Sequence, residues 1–351
     1  MSASPQSKFL HLALFAVGLL GTAAAIRHVD ALPFWSWIRP KLLHVQQTLG
    51  DHDTLFFGSS RIHYGLLPSA FDAQMAALGR PTKSFNCGLS GARPHDFNVV
   101  LDWVLAQNPR TLKRAVVELH AWCRPRPTPD RNWMTDQEVE AHTLAELPRR
   151  VRSTWLATMD AGAKASNLYG VVTHTLANLF RIGQGPRLLD DLLAAGRGQV
   201  KRGATFADAG YDNPELSTMD SMKSAHAEWL ANAARRDSLF ALISQDEPAA
   251  ELRGGFDLQS ARGLAARLRA VGIEPLFVVM PSFAGNFNGR DGVSELAREE
   301  IVLALDRPRD HPSLFGFEWW QDQSHMTRAG AERFSRYLAD QLVKRAPTSL
   351  R

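Results

Sequence analysis

The stretch Thr54-Leu55-Phe56-Phe57-Gly58-Ser59-Ser60 predicts the architecture of this chain. Its apolar part is short, as in a strand buried inside a parallel sheet, and the small residues after it let the backbone turn back. Further short strands are predicted at residues 83–87, 115–119 and 275–280, with helix-forming segments between them. Strands that alternate with helices form a parallel sheet covered on both faces. We therefore predict an α/β fold, a three-layer α/β/α sandwich.

The ends of the predicted helices are marked by residues that start or stop a helix. Proline fits the first turn, glycine closes a helix, and a threonine hydroxyl can accept a hydrogen bond from a free amide of the first turn. A last short strand is predicted at residues 314–317. The predicted helices are residues 40–49; residues 70–78, ended by Gly79; residues 94–107, opened by Pro94; residues 257–271, ended by Gly272; and a final helix capped by Thr327, with Ala331, Phe334, Leu338 and Leu342 on one face.

The alternation of strands and helices stops between residues 124 and 251. This segment is polar, helix-prone and interrupted by proline and glycine, which predicts a helical insertion or lid. A chain of 351 residues with 45% hydrophobic residues can bury one large core and carry such an insertion. We assign residues 51–345 to one domain with the insertion 124–251, residues 31–50 to a linker, and residues 1–30 to a membrane anchor or signal segment.

The N-terminal segment Phe9–Ile26 is an almost uninterrupted apolar run, just long enough to span a bilayer. Ala23-Ala24-Ala25 is similar to a small-residue cleavage site, so a removable signal peptide is the alternative. We favour an uncleaved anchor because Phe34, Trp35 and Trp37 suit the membrane interface. In both cases the bulk of the chain is expected outside the cytoplasm.

Charge and cysteine content restrict the classes of function. Lys and Arg number 40 against 36 Asp and Glu, for a net charge of +4. Basic clusters at residues 110–131 and 149–152 contain few aromatics, which favours a solvated face over a site for acidic polymer or lipid headgroups and excludes a nucleic-acid module. Cys87 and Cys123 are too few for a disulfide scaffold and lack zinc-ligand spacing. One bridge between them and two separate buried thiols both stay open.

Small and polar residues collect at the predicted carboxyl ends of the strands, where parallel α/β sheets carry their chemistry. A serine is a weak nucleophile unless a base lies within hydrogen-bond reach. His325 is the candidate base for Ser60, and Asp322 is placed to orient its ring. Ser59 is the competitor for Ser60, and Ile62 excludes the G-x-S-x-G motif. The residues collected at these strand ends are Ser60, Gly91, His120, Trp122, Ser282 and the loop from Asp322 to His325.

Three of these motifs resemble the blocks of the SGNH (GDSL-type) hydrolase superfamily. Gly58-Ser59-Ser60 is similar to its first block, the stretch from Asn86 to Gly91 to its second, and the stretch from Asp322 to His325 to its last. The resemblance implies a flavodoxin-like parallel sheet, Ser60 as nucleophile and a catalytic triad with His325 and Asp322. It also implies an oxyanion hole made by the backbone amides of Ser60 and Gly91, with no metal or cofactor.

The third block departs from the family pattern. Where the family has G-x-N-D, this chain has Leu119-His120-Ala121-Trp122, without the asparagine that donates to the oxyanion. Loss of one such donor typically costs about two to three orders of magnitude in rate. His120 or the Trp122 indole could replace it, or both could simply be packed residues at the strand end. This departure puts fast, general esterase activity in doubt.

The anchor, the G-S-S-R first block and the helical insertion are most similar to membrane-anchored members of the superfamily. These members assist D-alanylation of teichoic acids or O-acetylation of exopolysaccharides. The resemblance implies O-acyl transfer or O-deacylation on a cell-envelope polysaccharide, beside a membrane-bound O-acyltransferase partner, in the periplasm or at the cell surface. The alternatives are a non-catalytic accessory protein and a secreted esterase with a cleaved N-terminus. Arg61 and His63 are candidates for the substrate groove, with a structural ion pair as the alternative for Arg61.

Overall fold

A computed structural model describes residues 5–29, 39–91, 94–119, 142–144, 147–156, 160–182, 208–216, 220–245, 258–284 and 290–345. The chain divides into two compact units. The first unit combines Met1–Leu43 with Arg126–Ala204, and the second combines His44–Pro125 with Thr205–Arg351. The predicted insertion is therefore shared between the units, because its part from Thr205 onward groups with the sheet.

The second unit is built on a five-stranded, all-parallel sheet in the order β2-β1-β3-β4-β5. This confirms the predicted α/β class with a parallel sheet. The strand order is that of flavodoxin-like doubly wound sheets, in which the chain reverses its direction of travel between β1 and β3. The strands are β1 (Thr54–Phe57), β2 (Ser84–Asn86), β3 (Arg114–Glu118), β4 (Glu274–Val279) and β5 (Ile301–Ala304).

The helices follow most of the predicted segments closely, and Gly79 and Gly272 end two of them with positive φ angles of 75° and 79°. Left-handed backbone of this kind favours glycine. The described helices are α1 (Pro5–Val29), α2 (Arg39–Thr48), α3 (Ser60–Gly65), α4 (Pro68–Ala77), α5 (Pro94–Ala106), α6 (Leu147–Leu156), α7 (Ala161–Phe180), α8 (Asp220–Ala231), α9 (Ala233–Ile243), α10 (Leu258–Ala270), α11 (Arg290–Leu296) and α12 (Arg328–Arg345).

Helices cover both faces of the sheet. Right-handed crossovers put the β1–β2 connection on one face and the later connections on the other. On the first face α12 packs against α4, and the Leu67 amide donates to Ser335 Oγ at 2.8 Å. On the second face Arg267 of α10 pairs with Asp102 of α5 at 2.5 Å, and α10 also packs against α11.

The final helix is fixed by its cap and its apolar face, as predicted. The Gly330 amide donates to Thr327 Oγ1 at 3.1 Å, so the threonine hydroxyl satisfies a free amide of the first turn. The predicted apolar face is buried in the core with Phe56 and Val278. The residues of that face are Ala331, Phe334, Leu338 and Leu342.

The strand predicted at residues 314–317 is wrong. Two short 3-10 turns, Pro312–Leu314 and Phe317–Trp319, occupy this region. Pro312 has no amide for a strand ladder, and its fixed φ suits the start of a helical turn. Leu314 is buried in the same core as Val278 of β4, and the last strand of the described residues is Ile301–Ala304, which pairs with β4.

The described part of the predicted insertion is helical, as expected, and contains no strand. Helices α6 and α7 lie in the first unit, whereas α8 and α9 lie in the second. In the first unit, α1 contains the stretch Phe9–Ile26, which is long and apolar enough to cross a membrane. A signal sequence or a core helix meets the same criterion.

Candidate active site

Ser60 is the first residue of α3 and follows β1 through a sharp turn. At Gly58, a Cβ atom would lie 2.5 Å from Ile62 and 2.6 Å from the Glu118 carboxylate, so only glycine fits there. Ser59 caps the helix, because its Oγ accepts a hydrogen bond from the Arg61 amide at 3.3 Å. Between the two competing serines, the cap occupies Ser59 and leaves Ser60 at the turn.

Ser60, His325 and Asp322 form a continuous chain of hydrogen bonds. His325 Nε2 lies 2.9 Å from Ser60 Oγ, and His325 Nδ1 lies 2.8 Å from Asp322 Oδ2. An ionised carboxylate only accepts hydrogen bonds, so Nδ1 carries the proton and Nε2 of the neutral ring is the acceptor for the serine hydroxyl. The sequence predicts that these three side chains meet, and in the structure they lie within hydrogen-bond distance.

Asp322 is held as a carboxylate by its partners. Its Oδ1 accepts from the Ser324 amide at 2.6 Å and from the His325 amide at 2.9 Å. Burial alone would raise the pKa of Asp322, but the hydrogen bonds from the His325 ring and these amides outweigh it and hold the pKa below its ordinary value. The group is therefore ionised at neutral pH and favours a proton on the facing imidazole nitrogen.

The loop that carries Asp322 and His325 is closed on itself and tied to the end of β4. The Gln321 amide donates to the His325 carbonyl at 2.9 Å, and an antiparallel bridge joins Trp320 to Met326. The Gln323 carbonyl accepts from the Phe283 amide at 2.8 Å. Ser282, which follows the same strand, points its hydroxyl at this carbonyl from 3.4 Å and so belongs to the loop support.

Helices α8 and α9 hold the same loop from another side, which the sequence did not indicate. His226 Nδ1 of α8 lies 2.9 Å from the Gln321 carbonyl, and Arg235 of α9 donates to Gln323 Oε1 at 3.3 Å. Trp229 also donates its indole N–H to a backbone carbonyl at 3.3 Å and packs on Phe283 with ring centroids 5.3 Å apart. This half of the predicted insertion supports the acid–base loop.

Glu118, at the carboxyl end of β3, is fully buried beside the nucleophile turn. Its Oε2 accepts from the Ser59 amide at 2.6 Å and its Oε1 accepts from the Ser59 hydroxyl at 3.1 Å. Arg61 Nη1 lies 3.6 Å from Oε1 and supplies the opposite charge that a buried carboxylate needs. Arg61 was a candidate for the substrate groove or for a structural ion pair, and this contact matches the ion pair.

Asn86 joins the second predicted block to α3. Its side-chain amide donates to the carbonyls of Ile62 and Leu66, both at 2.7 Å, and its Oδ1 accepts from the Gly88 amide at 2.8 Å. A Cβ at Gly88 would lie 2.5 Å from the His63 backbone nitrogen. The turn after β2 is therefore fixed against the helix that begins at Ser60.

Tyr64 connects that turn to the imidazole. Its ring meets the His325 ring edge-on with centroids 5.4 Å apart, and its hydroxyl donates to Ser90 Oγ at 3.5 Å. Gly91, next to Ser90, is exposed and has a positive φ of 68°. The turn that contains Gly91 therefore lies one side chain away from His325.

The other candidate residues have different positions. His63 is buried, with Nδ1 3.1 Å from the Gly88 carbonyl and Nε2 3.5 Å from Asp212, so its ring is engaged within the fold. His120 and Trp122 lie outside the described residues. Cys87 is buried, and Cys123 lies outside the described residues, so a bridge and two separate thiols both stay open.

No protein-family model matches the sequence, and no curated protein matches it. Within the described ranges, no group of three or more His, Cys, Asp or Glu side chains is placed to hold a metal ion. The chemistry of the candidate site therefore has to be inferred from its geometry. That geometry is a serine, an imidazole and a carboxylate in series. It lies at the carboxyl ends of the strands, near the point between β1 and β3 where the strand order reverses.

Proposed function

We propose that the protein is a serine-dependent acyl-transfer enzyme, either an O-acyltransferase or an O-deacylase. The observation that carries the proposal is the hydrogen-bonded series Ser60–His325–Asp322, with distances of 2.9 and 2.8 Å. Ligands of doubly wound sheets bind at the carboxyl ends of the strands near the switch point, which is where Ser60 lies. A nucleophile, a base and an orienting carboxylate in this order are the parts of a serine acyl-transfer site.

In the proposed mechanism, Ser60 Oγ attacks the acyl carbonyl while His325 Nε2 takes the hydroxyl proton. The proton then passes to the leaving oxygen, which departs and leaves an acyl-serine. A sugar hydroxyl or water then attacks the acyl-serine while His325 takes its proton. His325 returns that proton to Ser60 Oγ as the serine leaves, which regenerates the site. Asp322 keeps the ring in the correct tautomer and stabilises the imidazolium without taking its proton.

The negative charge of the tetrahedral intermediate needs hydrogen-bond donors. We assign this role to the backbone amides of Ser60 and Gly91, as the family resemblance implies. The contacts of Tyr64 with His325 and Ser90 support this assignment, because they bring the Gly91 turn close to the base. These two amides are the only donors assigned, because the asparagine of the third block is missing from the sequence. Loss of one donor slows such a reaction by about two to three orders of magnitude.

The proposed fold family is the SGNH superfamily, and the proposed acceptor is an exported or cell-envelope polysaccharide. The resemblance to membrane-anchored members supports a membrane-bound O-acyltransferase as partner and a position outside the cytoplasmic membrane. Helix α1 supports attachment to the membrane, since it is long and apolar enough to span a bilayer. Cleavage of this segment would instead give a secreted esterase.

Acyl-enzyme trapping tests the proposal. The full chain is incubated with p-nitrophenyl acetate and examined by intact-mass spectrometry, beside Ser60→Ala, His325→Ala and the control Ser69→Ala, which changes an exposed serine on α4. We expect one acetyl adduct that Ser60→Ala abolishes and Ser69→Ala leaves intact. If a folded protein gives the same adduct in Ser60→Ala, Ser60 is not the nucleophile.

A non-catalytic accessory role is the second candidate, favoured by the missing asparagine of the third block. In that case the cleft binds an acyl donor or polymer without forming a covalent bond. A fluorophosphonate probe separates the two candidates, because it labels an activated serine whatever the natural acyl group. Labelling of the wild type but not of Ser60→Ala excludes the accessory role.

A further inference from the structure

Large exposed apolar side chains are concentrated in the first unit, and several of them lie outside α1. Scattered surface apolar residues are ordinary, whereas a concentration of them marks an interaction surface. Beyond α1, those in the first unit are Leu144, Trp155, Tyr169, Val172, Leu176 and Ile182.

The buried side of helix α7 mixes polar and apolar residues, whereas the large side chains on its exposed side are apolar. Tyr169, Val172 and Leu176 are spaced three and four residues apart, so they share one side, and they are 71%, 46% and 43% exposed. Three polar residues, His174, Thr175 and Asn178, are buried. In water, polar side chains would be expected on the exposed side and large apolar ones in the interior. A non-aqueous environment on the exposed side accounts better for the side chains of α7.

Helix α1 indicates what that environment is. Within the first unit α7 packs against α1, and α1 itself exposes large apolar side chains along its length, such as Phe9 and Phe15 at 75% and 68%. Two neighbouring helices of one unit therefore present apolar surfaces. A lipid bilayer can cover both at once if α1 spans it.

Helix α6 adds the pattern of a membrane interface. It packs against α7 and carries the exposed Arg152, followed by Trp155, which is 67% exposed. Arginine and tryptophan together are typical of helices at the headgroup level, where the cations meet anionic lipid and the indole meets the acyl boundary.

We propose that α6 and α7 form a second membrane-contact surface beside α1: the side of α7 with Tyr169, Val172 and Leu176 faces lipid, and α6 lies at an anionic headgroup layer. The proposal does not depend on the proposed acyl-transfer function. It does require α1 to remain in the membrane.

Photo-crosslinking from lipid tests the surface on the full chain. The protein is reconstituted in phosphatidylcholine–phosphatidylglycerol vesicles that contain a phospholipid with a diazirine in its acyl chain, and adducts are mapped by mass spectrometry. We expect adducts in α1, at residues 169–176 and at Trp155. Leu230 and Val271 of the second unit, 59% and 57% exposed, serve as internal controls without adducts. Labelling of α7 at or below the level of these controls overturns the proposal.

Variants separate lipid contact from mere exposure. Val172→Gln with Leu176→Gln is expected to lower adducts on α7 several-fold and to leave those on α1 unchanged, while the matched pair Leu230→Gln with Val271→Gln changes neither. Arg152→Gln is expected to lower the phosphatidylglycerol-dependent labelling at Trp155 about fivefold, the effect of one cation near an anionic surface. Labelling at Trp155 that is equal with and without phosphatidylglycerol contradicts the headgroup assignment of α6.

Discussion

Asp322 uses its two carboxylate oxygens for different purposes. Oδ2 meets the His325 ring, whereas Oδ1 accepts two backbone amides and closes the loop. Because these bonds favour the charged form, they lower the pKa of Asp322 although burial raises it. The same bonds that orient the base therefore link the stability of the loop to pH.

Replacing Asp322 by Asn should affect both activity and the pH dependence of stability. Loss of the orienting carboxylate typically lowers kcat by about four orders of magnitude, because the imidazole adopts the wrong tautomer. A depressed pKa contributes stability above the unfolded value of about 3.9, and that contribution is lost as pH falls through the folded value. The stability difference between wild type and Asp322→Asn, measured by urea unfolding, should therefore stay nearly constant from pH 7 to about 5 and shrink as pH falls below about 4. A difference that stays constant with pH would show that the carboxylate charge is not stabilised by folding.

Glu118 stabilises the nucleophile turn through charge as well as shape. Glu118→Gln keeps the size of the side chain but replaces one acceptor oxygen by an amide, so it cannot accept both Ser59 bonds and leaves Arg61 without its carboxylate. We expect a loss of about 1–3 kcal/mol in unfolding free energy. Glu299→Gln is the matched control, since this exposed carboxylate also pairs with an arginine and should change stability by less than about 0.5 kcal/mol. Equal effects of the two substitutions would refute the special role of Glu118.

At the scale of elements, α8 and α9 show how a helical insertion can position the loop that carries Asp322 and His325. The His226 ring donates to the Gln321 carbonyl, one residue before Asp322. Loss of this bond frees the loop on one side without removing any reacting group. Small displacements of a base can lower rates about a hundredfold.

His226→Ala should therefore lower kcat by about ten- to a hundredfold and leave KM nearly unchanged. His226→Asn should recover part of the loss, because its side-chain amide can donate from a position close to that of Nδ1. Steady-state kinetics with p-nitrophenyl acetate measures both. A purely structural role would lower the folded fraction instead, with an unchanged rate per folded molecule and no advantage for Asn.

The elements also show what the sequence could and could not predict. Predicted strands at residues 54–57, 83–87, 115–119 and 275–280 agree with the structure to within about two residues, because each is a short stretch with apolar residues that ends at a turn or loop. The run Ile301–Ala304 is just as apolar but directly follows charged residues, so it was missed. The run at residues 314–317 was mistaken for a strand because burial of 3-10 turns leaves the same apolar composition.

Some residues of the candidate site could also be predicted from the sequence, and others could not. Ser60, Asp322 and His325 could be predicted because local motifs mark each of them and the strand order places them at one edge. The support from the α8–α9 helices could not, because these contacts join segments far apart in sequence and leave no local pattern.

At the scale of the whole molecule, the site depends on the packing of the final helix against the segment after Ser60. Ser60 and His325 are 265 positions apart in sequence, and they meet because α12 packs on α3 and α4. Ser335 Oγ accepts the Leu67 amide at 2.8 Å at this contact, and Phe334 beside it is fully buried. The two segments of the proposed site should therefore lose their geometry together when this helix detaches.

Phe334→Ala tests that dependence. Removal of a fully buried phenylalanine costs about 3–5 kcal/mol, from lost burial and the cavity left behind. We expect the unfolding free energy of the second unit to fall by that amount, which moves the urea midpoint lower, with fluorophosphonate labelling of Ser60 lost in the same transition. Arg336→Ala, an exposed change two positions away, should leave the midpoint nearly unchanged. Labelling that persists after the helix has unfolded would show that Ser60 and His325 are held together by the sheet alone.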